Sequence, residues 1–396
     1  MGDFVISLRS FQGGIEYARE QGIISPAYTV LYPAQPVMHG YLAWLFKSKP
    51  YIGNLSLHVT GIRQGQTIDY EKLARAALPT PPLPEQTAIV RFLDHAGRRI
   101  RRYIRAKRKL ITLLNEQKQA VIDRAVTCGV NRAVRLKPSG LHWLKDIPAH
   151  WRFARLKDVA VVQTGLTLGK DYRGQVTAIW PYLRVANVQH GRLDLTDVKS
   201  IDVPASEVTR TTLRPGDVLM TEGGDIDKLG RGCVWRGEIP GCLHQNHIFA
   251  VRCRQDVLIP DFLVGLMVSR HGRTYFQLTA KQTTNLASTN SGTLGAFPIL
   301  IPPLNEQRAI TQAIKVEASR IDAAASRAAR EIDIMREYRA RLVADLVTGK
   351  LDVRGAAAAL PDEADDSDVV EQVALNVEAE DGGEEAEPNA GEEVEV

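Results

Sequence analysis

Apolar residues recur at mixed spacings of three and four along two long stretches of the chain. In residues 81–130 the series is Ile89, Leu93, Ala96, Ile100, Tyr103, Leu110, Leu114 and Val121. In residues 302–351 it is Ile310, Ile314, Ile321, Ala325, Ala328, Ile332, Met335, Leu342 and Leu346. This period places each series on one stripe of an α-helix. Both stretches open on Pro-Pro-Leu and continue into Glu-Gln, at Glu85-Gln86 and Glu306-Gln307. The prolines stop the incoming chain, and the Glu sets a carboxylate in the first turn, where the helix dipole favours it. Gly129 and Gly349 stand where a glycine would end each helix. About 43 residues at 1.5 Å rise predict a rod of roughly 65 Å.

The two stretches are copies of each other. At a constant offset of 221 and without a gap, 13 of 50 positions are identical, among them Pro81/Pro302, Glu85/Glu306, Gln86/Gln307, Ile100/Ile321 and Thr127/Thr348. That period is far too long for a solenoid and describes a two-fold molecule written in one chain. Neither stripe can bury itself alone, so the helices are expected to pack as an antiparallel coiled coil. Lys107 and Glu331 fall near the seam and make the heptad imperfect.

Between and around the helices the pattern shortens. Residues 151–303 hold short β-rich runs (VAVVQTG, GDVLMT, HIFAVRC) separated by turns, and 261–272 reads as a helix. The expected fold class is α+β: two mixed domains at 1–80 and 151–303, separated by long helices at 81–130 and 304–352. Residues 131–150, with Pro138-Ser139-Gly140 and Pro148, read as a linker. Residues 353–396 read as a disordered acidic tail.

Charge is segregated along the chain. The net charge is +4, yet from Gly355 onward there are 15 acidic residues and no Lys or Arg. Residues 1–354 therefore hold all 50 basic side chains against 31 acidic ones, and residues 81–137 alone carry 14 against 4. A body this basic points to a polyanion partner, most simply double-stranded DNA, although a solvated charged face has the same composition. No run approaches a membrane span, the N-terminus lacks a signal-peptide form, and the four cysteines make no C-x-x-C. A cytoplasmic, reduced protein is expected.

The segment 278–294 is polar, rich in amides and hydroxyls, and almost uncharged. Lys281, Gln282, Thr283, Asn285, Ser288 and Asn290 are its candidates for reaching base edges, where amides pair with adenine and Lys with guanine. A surface loop without a partner reads the same way. The run 98–109 has eight basic residues in twelve, which cannot all face one side of a helix. Arg98, Arg102 and Arg105 are its candidates for phosphate contacts, which position DNA without reading it.

No catalytic site is legible. Gly165, Gly169 and Lys170 imitate a P-loop one residue short and without its Ser/Thr. Cys233, Cys242, His244, His247 and Cys253 fit no standard zinc spacing and read better as buried thiols and a core histidine. Glu222, Asp225 and Asp227 lie in a Gly-rich turn and read as loop residues. No catalytic, cofactor or metal residue is assigned.

The twice-written P-P-L-x-E-Q entry into a long helix, with its V-T-G-type exit, resembles the specificity (S) subunit of type I restriction–modification systems over about residues 1–352. The resemblance implies target recognition domains that each read half of a split DNA site, with the helices fixing their distance. It also implies docking of two methyltransferase subunits and of motor-nuclease subunits. S-adenosylmethionine, Mg²⁺ and ATP would belong to those partners, and this chain would not be an enzyme itself. The competing readings are an autonomous DNA-modifying enzyme and a coiled-coil scaffold that binds no DNA.

One departure from the family pattern stands out. Met1-Gly2-Asp3-Phe4 aligns with Pro215-Gly216-Asp217-Val218, deep inside the second domain, so residues 143–215 have no counterpart in the first. The expectation is an incomplete first recognition domain, through a late start codon, a disrupted gene or a real truncation, or else a domain that is simply smaller. The unmatched residues include VAVVQTG, expected to be a core strand apolar on both faces.

Overall fold

Two helices dominate the computed structural model, and each follows a short apolar one. His39–Phe46 (α1) precedes Leu83–Cys128 (α2), and Pro260–Val268 (α3) precedes Leu304–Val347 (α4). The structure describes residues 2–7, 14–26, 28–55, 57, 59–60, 67–68, 70–189, 191–224, 229–230, 232–282 and 287–361. The chain divides into unit 1, residues 1–104 with 333–396, and unit 2, residues 105–332.

Both long helices end as their glycines require. Gly129 and Gly349 have φ of +74° and +72°, the left-handed conformation that closes a helix at little cost only for glycine. Within unit 2, Lys107 pairs with Glu331 at 2.6 Å and Lys118 with Asp322 at 2.8 Å. Residue number thus rises along α2 as it falls along α4, and the helices run antiparallel. Most of the apolar stripe is buried, including Ile89, Leu93, Ile100, Ile310, Ile321, Ile332, Leu342 and Leu346. Tyr103 and Leu110 depart from it at 39% and 41% exposure. A seam between two helices covers a narrower arc than a globular core does, so flanking stripe positions stay in water.

In unit 1, Phe4–Ser7 (β1) lies between Glu16–Tyr17 (β2) and Tyr28–Leu31 (β3) in an antiparallel sheet. Phe4 and Ile6 pack with Tyr41, Leu45 and Phe46 of α1, Leu93 of α2 and Leu346 of α4. In unit 2 the central antiparallel sheet is built from Ala160–Thr164 (β4), Val218–Thr221 (β5), Gly232–Val234 (β6) and Ile248–Cys253 (β7), in the order β6-β5-β7-β4. It shares a core with Phe262 and Leu266 of α3, Val126 of α2 and Ile310 of α4.

β1 and β5 are the same strand in two settings. Gly2 and Gly216 both have positive φ, +98° and +95°. Gly2 N–H donates to Ala18 O at 3.1 Å and Ala18 N–H to Asp3 O at 2.8 Å; Gly216 and Asp217 exchange the same pair of bonds with Trp235, each at 2.8 Å.

Four expectations change. The run VAVVQTG is not a strand buried on both faces: β4 is an edge strand, and Val161 is 66% exposed. Val161 pairs with Arg252 on the face of the sheet turned to solvent, which a run of valines does not disclose. Residues 131–150 are not merely a linker, since Leu136–Leu141 and Leu144–Pro148 form a hairpin that buries Ile147 completely. The acidic segment begins folded. Val353 and Ala357 are buried, and the Leu360 carbonyl accepts a bond from the Arg91 guanidinium at 2.6 Å. Residues 362–396 lie outside the described residues. The helix read at 261–272 is two helices, broken at Ser269, which caps Arg270–Thr279 through its side chain.

Candidate nucleic-acid interface

The P-P-L-x-E-Q motif acts as a latch between each long helix and the short helix before it. Gln307 is fully buried, donates to Pro302 O at 2.9 Å and Val257 O at 2.8 Å, and accepts the Ile259 N–H at 2.9 Å. Gln86 does the same in unit 1, donating to Pro81 O at 2.7 Å and accepting the Met38 N–H at 2.8 Å. Met38 and Ile259 are the residues that precede α1 and α3, where backbone N–H groups lack helical partners. Reading the motif only for its Glu missed this role, although the identity of Gln86 and Gln307 across the repeat was a visible signal. Glu306 instead meets His150 Nε2 at 2.8 Å.

The polar segment of unit 2 forms a small sheet. Ala287–Ser288 pairs with Gly223–Gly224 on one side and Lys281–Gln282 on the other. Ser288 faces Lys281 across the pair, and Lys281 is exposed. Asn290 is committed to structure: its side-chain oxygen accepts the Thr293 N–H at 2.9 Å and caps Ser291–Gly295. Thr283 and Asn285 lie outside the described residues, as does the Gln282 side chain. The structure therefore brings Lys281 and Ser288 together on one hairpin and gives Asn290 a capping task beside it.

Arg98, Arg102 and Arg105 sit at spacings of four and three on α2, which aligns them on one stripe of that helix. Arg98 is half-buried, and Arg102 and Arg105 are exposed. Arg98 and Arg102 belong to unit 1 and Arg105 to unit 2.

Cys233, Cys242, Cys253 and His244 are buried core residues of unit 2. Burial pushes the Cys233, Cys242 and Cys253 thiols up to about 12, which keeps them protonated. Burial lowers His244 to about 4, and its Nδ1 bonds the Thr211 carbonyl at 2.9 Å. His247 pairs with Glu222 at 2.7 Å, while Asp225 and Asp227 lie outside the described residues. Among the described residues no group of three or more His, Cys, Asp or Glu is placed to hold a metal. No helix among them is long and apolar enough to cross a membrane.

Comparison with known proteins adds to this geometry. No family model matches the chain. The putative type I restriction enzyme MjaX specificity subunit of Methanocaldococcus jannaschii is 26% identical over 171 residues, which make up 42% of this chain and 39% of that protein. The type I restriction enzyme EcoKI specificity subunit of Escherichia coli K12 is 24% identical over 292 residues, 72% of this chain and 60% of that one. In sequence the chain resembles type I specificity subunits. It spans less than two thirds of the length of either relative. A solved structure from work on complex assembly and conformational transition of the type I R-M system shares its fold, with a TM-score of 0.67 at 18% identity over 88% of this chain and 82% of the other.

Proposed function

We propose that this chain is the DNA sequence-recognition subunit of a type I restriction–modification complex. Each unit reads one half of a split site, and α2 and α4 set the separation of the halves. Two methyltransferase subunits and the motor-nuclease subunits dock on this frame, and S-adenosylmethionine, Mg²⁺ and ATP are bound by those partners. The observation that carries the reading is the repeat in three dimensions. The Gln86 and Gln307 latches, 221 residues apart, seat an equivalent short helix on each long one. A repeated frame suits a bipartite ligand and paired copies of a partner. Leu113 and Ile334 are also equivalent at that offset, and both remain exposed, at 50% and 58%, as a surface that covers apolar side chains on docking would require.

Mapping of methylated bases in host DNA, with and without the gene, tests the reading. Loss of methylation at one split motif is expected. An unchanged methylation pattern in a host with active methyltransferase subunits would reject it.

A further inference from the structure

The repeat places an ion pair in unit 2 where unit 1 has two like charges. Lys118 and Asp322 bond at 2.8 Å between α2 and α4. Their equivalents at the offset of 221 are Arg339 and Arg101, both in unit 1. Two guanidiniums thus occupy the position that a cation and a carboxylate fill in the other copy. Like charges held together are destabilising unless a third group compensates them.

The surroundings of this pair are organised. The Arg339 guanidinium lies 5.6 Å from the Trp44 ring centre, and Trp44 Nε1–H donates to Asp94 at 3.0 Å. At Gly97, inside α2, a Cβ would meet the Arg101 guanidinium at 3.3 Å and the Trp44 ring at 3.6 Å. A glycine in mid-helix is unfavourable relative to alanine, and here it lets ring and guanidinium close on the helix. Asp94 is the carboxylate of the group, and Arg19, Arg98 and Arg101 all act on it. Its pKa is nevertheless raised by burial, and that of Arg101 is lowered by burial first and then by the charge of Arg339. Among the described residues, Asp94 is the carboxylate that acts on Arg101, and Arg339 stands against Arg101 as a second cation.

We propose that Arg101 and Arg339, braced by Trp44, hold a backbone phosphate of bound double-stranded DNA. The proposal rests on the DNA-binding reading above and names a contact within it. Guanidinium forks suit phosphate oxygens and stack on aromatic faces, which ammonium groups do less well. A polyanion is favoured over a single carboxylate because α2 stays basic beside the pair, at Arg98, Arg99 and Arg102.

The repeat itself supplies the test. In the full chain, Arg101→Asp recreates opposite Arg339 the arrangement that Lys118 and Asp322 already hold, so folding and thermal stability are expected to persist. Arg101→Gln removes the charge alone. Affinity for double-stranded DNA is measured for parent and both variants across a salt series. Arg101→Gln is expected to lower affinity about three- to tenfold at low salt, equally for specific and non-specific DNA, with the slope of log K against log salt shallower by about one. Arg101→Asp is expected to lower it further. If the parent binds DNA and both variants keep its affinity and slope, the proposal is overturned while the DNA-binding reading stands. If the parent shows no salt-dependent DNA binding, both fail. If binding of the methyltransferase subunit falls while the DNA salt slope is unchanged, the pair serves a partner's carboxylate and the proposal is again overturned.

Discussion

Gln307 accepts the Ile259 N–H at 2.9 Å while its own amide donates to the carbonyls of Pro302 and Val257. A backbone donor and the Val257 carbonyl at the start of α3, together with the Pro302 carbonyl at the Pro-Pro break, are all satisfied by one buried side chain. Replacing it leaves those groups in a site closed to water. Gln307→Leu is expected to cost about 1–3 kcal/mol, the penalty for stranded buried polar groups. Gln307→Glu should cost at least as much, because a carboxylate cannot donate to either carbonyl. Urea unfolding measures the loss, and faster hydrogen exchange at Ile259 localises it; unchanged exchange there would show that the latch is dispensable.

The acidic tail gives a second prediction. The cut belongs after Pro361, because Val353 and Ala357 are buried and Leu360 is bonded to Arg91. Deleting 362–396 should preserve folding and raise DNA affinity most at low salt, since fifteen anions no longer compete for the basic body. An unchanged low-salt affinity would leave the tail a solubilising role only.

The long helices give a third. Matched helical insertions of seven residues near Arg105 and Ser326 should lengthen both by roughly 10 Å, about three base pairs of spacer. An insertion in one helix alone should mismatch the seam and destabilise it. Recognition of the original spacer by the doubly extended chain would show that the helices do not set the distance.

His244 makes stability depend on pH. Burial lowers its pKa from about 6.5 in the unfolded chain to about 4 in the fold, so the unfolded state binds the proton first as pH falls. The stability that the neutral imidazole supports is complete above pH 6.5 and is lost progressively down to about 4. The loss attributable to this group is on the order of 3 kcal/mol. His271, lowered by burial in the same sense, adds to it. Denaturant unfolding between pH 7.5 and about 4, for parent and His244→Asn, checks this; identical pH slopes would remove His244 as the cause.

The sequence by itself determined the long helices, their caps and their two-fold relation. Period, proline entry and glycine exit are local signals, and Gly129 and Gly349 adopt the left-handed conformation their positions implied. It also showed the kinship of Gly2-Asp3 with Gly216-Asp217, because a tight turn into a strand demands the same residues wherever it occurs. Tertiary structure alone decided the rest. VAVVQTG is apolar throughout, and only the pairing of Val161 with Arg252 on the solvent face of the sheet makes that valine a surface residue. Lys107 near the seam read as a flaw in the heptad until Glu331 stood 2.6 Å from it on the facing helix. Asn290 read as free to meet a base until the helix it caps was placed beside it. Arg101 and Arg339 are 238 positions apart and carry no shared motif. Their meeting depends on the register between two antiparallel helices, which cross-chain packing sets and no local pattern encodes.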